Sequence, residues 1–235
     1  LLGALLSPQG THYQKKLFLE LFLETIGLKN WGLNLNNVSV QVEYKDIDLY
    51  ITDGIKHIII ENKIFAEDQP CQLIKYINIV VEENKSQFKN VQENDRLSDE
   101  FLQVIYLTAQ SKMIPCEHIV KDEYIEFSGD SKKLKECSDR EQTKIFVPNG
   151  LKNYKAKYQR ITYKKEIFQW LQLSKKEVEN ITNLNEAIRQ YLDVVKMVNN
   201  DYEGKVMSLK EYMLKNEIQF EDLKDIVNQY NNMLD

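Results

Sequence analysis

Two acids and a lysine stand out by type and spacing. Asp48 sits inside one apolar run, and Glu61-Asn62-Lys63 closes the next. Hard divalent cations such as Mg²⁺ take oxygen ligands. The carboxylates of Asp48 and Glu61 with the backbone carbonyl of Asn62 would supply half a shell, and waters and a substrate phosphate would complete it. A protonated Lys63 is no metal ligand. Its work would be to hold or deprotonate an attacking water, or to offset charge growing on a phosphoryl oxygen. The bland alternative for the same residues is ion pairing with Lys45 and Lys63 on an exposed sheet edge.

The elements that must carry these groups are written as patterns. Residues 47 to 51 set Ile47, Leu49 and Ile51 on one face against Asp48 and Tyr50 on the other, as in a half-buried strand. Thr52-Asp53-Gly54 supplies a turn in which Gly54 tolerates positive φ. Ile58-Ile59-Ile60 then reads as a short strand buried on both faces. Asp48 and Glu61 are thereby expected to face each other across a hairpin. Glu61 and Lys63, two apart, leave the same face of their strand while Asn62 points away, and Asp46 competes with Asp48 for the same reason. Downstream, Asp68 or Gln69 can cap a helix whose first turn accepts Pro70, and Gln72 and Tyr76, at i and i+4, share one side of it. An ordinary polar and aromatic pair on a packed helix is the other reading of those two.

Ile47-Asp48-Leu49, Ile60-Glu61-Asn62-Lys63, Asp68-Gln69-Pro70 and Gln72-Leu73-Ile74-Lys75-Tyr76 follow one another in this chain. The series resembles the PD-(D/E)xK nuclease superfamily, in particular a bacterial branch with Ile-Asp-Leu, Ile-Glu-Asn-Lys, Asp-Gln-Pro and Gln-Leu-x-x-Tyr motifs. Looser similarity reaches from Leu5-Leu6-Ser7-Pro8 to Ile161-Thr162-Tyr163-Lys164 and Trp170-Leu171. The resemblance implies a restriction-endonuclease-like α/β core over residues 1–172, with a central mixed β-sheet flanked by helices. Residues 173–235 would be a helical C-terminal extension that packs on the core or mediates oligomerisation.

The same resemblance makes Asp48 and Glu61 the metal-binding acids and Lys63 the catalytic lysine, with Gln72 and Tyr76 lining the site. It implies metal-dependent endonucleolytic hydrolysis of DNA that leaves 5′-phosphates, with Mg²⁺ as cofactor and Mn²⁺ substituting. Many members carry a further metal-linked glutamate on the first helix. Either that residue is missing from this abruptly beginning chain or it lies at Glu20 or Glu24, and the periodicity of Leu17, Leu19, Leu21, Phe22 and Ile26 turns both of these toward solvent. His12, in the amino-terminal segment, would touch substrate by resemblance alone.

A chain of 235 residues, 43% hydrophobic, is long enough to bury one substantial α/β core. No run approaches the apolar length of a membrane span. The opening Leu-Leu-Gly-Ala-Leu-Leu lacks the basic start of a signal peptide and reads as the beginning of a truncated helix. Cys71, Cys116 and Cys137 are odd in number and scattered, which suggests neither a disulfide framework nor a zinc site and points to the cytoplasm. His12, His57 and His118 form no pair with metal spacing.

Net charge is -5, yet residues 132 to 165 carry eleven cations against three acids, a local +8. Interleaved with Tyr154, Tyr158 and Tyr163, this segment suits a phosphate backbone and an unpaired base. Lys155, Lys157, Arg160 and Tyr163 are its candidate substrate contacts, and a solvated loop region is the competing reading. The remainder reads as scaffold: a strand over 101–108 returning parallel after the helix of 69–83, a strand near 158–162, a helix over 163–172, and a capping box at Ser174-Lys-Lys-Glu177. Further helices follow through Leu184 to Val198 and from about Lys205, and these terminal helices could join two copies as a homodimer. Against the nuclease reading stand two others, a non-catalytic nucleic-acid-binding module and a scaffold of a defence or repair complex.

Overall fold

The two apolar runs pair as an antiparallel hairpin at the centre of a larger sheet. The computed structural model describes residues 1–66, 72–88, 99–109, 119–121, 123–128 and 153–202. Its strands are β1 Ser39–Tyr44, β2 Ile47–Thr52, β3 His57–Lys63, β4 Leu102–Thr108, β5 Ile119–Lys121, β6 Tyr124–Ser128 and β7 Asn153–Thr162. They form one mixed sheet of seven strands in the order β1-β2-β3-β4-β7-β6-β5, with β3, β4 and β7 parallel. The helices are α1 Leu2–Leu6, α2 Leu17–Thr25, α3 Gln72–Glu83, α4 Lys85–Phe88, α5 Phe168–Glu177 and α6 Thr182–Val198. This is a restriction-endonuclease-like α/β architecture, a sheet with helices on both faces.

The β-branched run at 58–60 is buried on both sides, as its composition requires. Ile58 and Ile60 join Phe18, Phe22, Trp170 and Tyr191 from α2, α5 and α6, while Ile59 joins Leu73, Tyr76, Ile77 and Val80 from α3. Each fully buried isoleucine contributes about 1.5–3 kcal/mol. Trp170 ties α5 to α2, donating its indole N–H to the Phe18 carbonyl at 2.8 Å.

Two local expectations change. Ile47 does not share a face with Leu49 and Ile51; it packs in the α3 layer beside Tyr50. Lys45 and Asp46, at φ 51° and 70°, make the tight turn that pairs Tyr44 with Ile47, and both of these lie in the α3 layer; inside β1, Glu43 is also at positive φ, 55°. Ser174 caps nothing: it is fully buried inside α5. The reciprocal box instead stands one element earlier, where Thr162 Oγ1 accepts from the Lys165 N–H and Glu166 Oε2 accepts from the Thr162 N–H at 2.8 Å. Its Thr-to-Glu spacing is one residue longer than in an α-helical box, because Tyr163–Ile167 is a wider π turn.

The turn between β2 and β3 forms as read, with Gly54 at φ 91° and Asp53 accepting from the Ile55 and Lys56 N–H groups. The described residues of Leu1–Asp201 form one compact unit, α6 included. The helical stretch from about Lys205 lies outside the described residues. So do the Asp68–Pro70 cap, the cationic residues 132–152, His118 and all three cysteines.

Candidate active site

The β2–β3 ladder runs from Thr52↔His57 to Leu49↔Ile60, so the next step along both strands sets Asp48 opposite Glu61. At that step the Asp48 carboxylate takes over, Oδ2 accepting the Asn62 backbone N–H at 2.7 Å. Asp46, its competitor, sits in the turn with its side chain 76% exposed and bridged to Lys75 at 3.1 Å. Only Asp48 is turned toward β3.

Glu61 and Lys63 leave one face of β3 together, as period-two geometry demands. Lys63 Nζ lies 2.7 Å from Glu61 Oε1, and the two side chains are 6% and 1% exposed. A carboxylate so withdrawn from water needs a cation beside it, and here the cation comes from two residues along the same strand.

Helix α3 closes this face. Gln72 Nε2 donates to the Tyr76 hydroxyl at 2.8 Å, and that hydroxyl donates to the Asp46 carbonyl at 2.5 Å. Burial, followed by the negative charges of Glu61, Asp48 and Asp46, pushes the Tyr76 phenol well above its ordinary value, so it remains a donor. Tyr76 is 2% exposed, its ring is core, and its contact is with the turn that precedes Asp48. Gln72 stays half-buried at the edge of the pair.

On the opposite face Tyr163 donates to Asn62 Oδ1 at 2.9 Å. Its own hydroxyl is hydrogen-bonded to that of Tyr191 on α6. Burial is the main cause of the raised pKa of both phenols, Tyr191 being pushed up to about 12. Asn62 is thus gripped from one side by a pair of buried tyrosines while its backbone N–H holds Asp48. Tyr163 is buried, so its hydroxyl meets Asn62 and not solvent.

The other residues expected at the site divide. Arg160 stands in register with Tyr106 and, through it, with Glu61, on the same sheet face two strands away, about 10 Å at ordinary strand spacing. Thr162 is likewise level with Thr108 and Lys63. A cavity of about 310 Å³ opens there, lined by Arg160, Thr162, Lys164, Lys165 and Glu166. Lys157 is not brought to this rim: it pairs with Gln103 near the far end of β4, bridges Glu123 at 2.7 Å and lies over the Tyr124 ring. Lys155 pairs through its backbone with Glu126, and its side chain is outside the described residues.

Glu20 and Glu24 are half-exposed and engaged with Lys16 and Lys29. His12 is a local brace, taking the Gln14 N–H on Nδ1 and meeting the Ser7 carbonyl through Nε2 at 2.9 Å. His57 is buried at the opposite end of β3 from Lys63, against Tyr50 and Gln87.

Sequence patterning missed two participants. Tyr191 reads as one more apolar position of a helix stripe, and nothing local signals its reach to Tyr163. Phe65, which no motif or periodicity singles out, lies two residues beyond Lys63 and is 85% exposed.

Among the described residues no group of three or more His, Cys, Asp or Glu is placed to share a metal ion. A cation here would have the carboxylates of Asp48 and Glu61 and would draw the rest of its shell from backbone, water or phosphate oxygens. That all-oxygen set fits a hard divalent ion and not zinc. A family model of the PD-(D/E)XK nuclease superfamily matches residues 1–193. The chain belongs to that superfamily. Its members are nucleases, which act on nucleic acid and generally use divalent metal ions. The matched span takes in Asp48, Glu61, Lys63, Gln72, Arg160, Tyr163 and Tyr191 alike. No curated protein and no solved structure matches the chain significantly. Among the described residues no helix is long and apolar enough to cross a membrane.

Proposed function

We propose that this protein is a Mg²⁺-dependent endonuclease that hydrolyses DNA phosphodiesters to leave 5′-phosphates, acting in the cytoplasm, with Mn²⁺ able to replace Mg²⁺. The observation that carries the reading is the convergence of Asp48, opposite Glu61, with the withdrawn Glu61–Lys63 pair on one sheet face. Asp48, Glu61 and the Asn62 carbonyl would hold the metal, which when bound polarises the phosphodiester and lowers the pKa of a water.

The rest is the work of side chains. Lys63 orients the nucleophile and offsets charge on the phosphoryl oxygen, a role supported by its place beside Glu61. Gln72 completes the water's hydrogen bonds, its amide steadied by Tyr76. Tyr76 and Tyr163, read from sequence as substrate contacts, act here as braces, the first on the turn before Asp48 and the second on Asn62. Arg160 meets the DNA backbone from the same face.

Incubation of the protein with plasmid, linear and single-stranded DNA and with RNA, in Mg²⁺, in Mn²⁺ and in chelator, tests the reading in one gel. Metal-dependent DNA cleavage is expected, and Asp48→Asn or Lys63→Ala should cut turnover by about 100-fold or more, a typical effect of removing a group that acts on the transition state. Cleavage by either variant at the wild-type rate, or metal-dependent binding with no cleavage of any substrate, would overturn it. The second outcome would turn the assignment to a binding module.

A further inference from the structure

Phe65 presents almost its whole ring to solvent two residues past Lys63, while its neighbour Ile64 packs against the core. A lone exposed ring is ordinary on a protein surface. What sets this one apart is the second feature of the same rim, the cavity of about 310 Å³ lined by Arg160, Thr162, Lys164, Lys165 and Glu166. Strand register makes Thr162 level with Lys63 at a separation of two strand spacings, about 10 Å.

Two cations of that cavity, Lys164 and Lys165, are accessible to an anion. The cavity's one acid, Glu166, turns its carboxylate onto the Thr162 N–H and hydroxyl. Burial pushes that carboxyl up, but the hydrogen bonds from Thr162 and the Lys165 ammonium together hold it below its ordinary value. Lys164 and Lys165 do bridge Asp201 and Glu166 at 3.0 and 3.2 Å, but both ammonium groups are well exposed, and such pairs are weak enough for a phosphate to displace. Of the three tyrosines that the basic segment offered for stacking, Tyr158 and Tyr163 are buried and cannot meet a base, and the Tyr154 side chain is outside the described residues.

We propose that this rim is built for an unpaired strand: a base stacks on Phe65 and a phosphate of the same strand sits in the Arg160–Lys165 cavity, so the substrate is single-stranded or locally opened DNA. The inference rests on the nuclease reading and narrows it. Its logic is that every base has a flat face, but only an unpaired or unstacked base can offer that face to a side chain. A paired duplex would use the cations and leave the ring idle.

Fluorescence anisotropy in Ca²⁺ with labelled oligothymidylate and with a hairpin-closed duplex separates the two. Wild-type protein should bind oligothymidylate more tightly than the duplex. Phe65→Ala should weaken the single strand by roughly 5- to 150-fold, the range for removing one stacked ring, and the duplex less than about twofold, with Phe65→Trp retaining affinity. Lys164→Ala/Lys165→Ala should flatten the salt dependence of single-strand binding by about 0.7 in slope for each phosphate no longer neutralised.

Phe65→Ala binding oligothymidylate as wild type does, or a wild-type preference for duplex, overturns the inference and leaves the nuclease reading standing. Wild-type protein that binds neither probe and leaves every nucleic acid intact overturns the nuclease reading, and this inference with it.

Discussion

Removing Lys63 should weaken the fold around the site as well as disable the chemistry, and the two effects can be told apart. The Lys63 ammonium lies 2.7 Å from Glu61, with side-chain exposures of 6% and 1%, so Lys63→Ala leaves a carboxylate inside the sheet face without the cation beside it. Breaking a buried pair from one side costs about 3–5 kcal/mol, whereas replacing both members by groups of similar shape is often close to neutral. Lys63→Met is therefore expected to lose about 3–5 kcal/mol in urea unfolding, and Lys63→Met/Glu61→Gln to recover most of that loss. Mg²⁺ supplies an independent check. If Glu61 belongs to a cation site, added Mg²⁺ should stabilise the single variant, by about 2.7 kcal/mol at one hundred times its dissociation constant, and leave the double variant unmoved. A single variant within about 0.5 kcal/mol of wild type, or a double variant no better than the single, would refute the claim that the buried pair is held by mutual charge.

Other perturbations probe the surroundings. Tyr163→Phe deletes the donor to Asn62 Oδ1 and should cost about 1 kcal/mol of stability. Direct Mn²⁺ titration should show its metal affinity reduced while the far-ultraviolet spectrum stays unchanged, and an affinity equal to wild type would remove Tyr163 from the positioning of Asp48. His57 offers a pH test. Burial holds its imidazole below the ordinary value of 6.5, against the opposing hydrogen bond of Gln87. Because the unfolded chain then binds the proton more readily, the stability linked to His57 is fully present above about pH 6.5 and is lost as pH falls toward the folded-state value. A nuclear magnetic resonance titration of His57 with a midpoint above 6.5 would contradict that sign.

Much of the site can be read locally, and the reason is geometric. The pairing of Asp48 with Glu61 follows from the length of the hairpin and its Gly54 turn, and the shared face of Glu61 and Lys63 follows from strand periodicity. Gln72 and Tyr76 meet because i and i+4 are neighbours on any α-helix. Ile47 shows the limit: strand alternation puts it with Leu49 and Ile51, and in the fold it lies in the other layer.

Charge and aromatic counts along 132–165 carry no such information. Lys157 and Arg160 lie three residues apart on β7, yet the first is spent on Glu123 and the second stands level with Glu61. Which of them comes to the rim depends on the parallel register of β3, β4 and β7, set by segments far apart in the chain. Tyr158 and Tyr163 are equally plausible as stacking rings in the sequence, and helices on both faces cover them in the fold.

The amino-acid order by itself therefore determined the carboxylates, the lysine and the face they share, because side-chain direction along a strand is a property of consecutive residues. Only the tertiary structure decided that Tyr191 braces Asn62 through Tyr163, that Arg160 joins the acidic row, and that Phe65 is left bare. Those outcomes depend on how distant strands align and which helix covers which face, and the free energy that settles them comes from burial summed over the whole core.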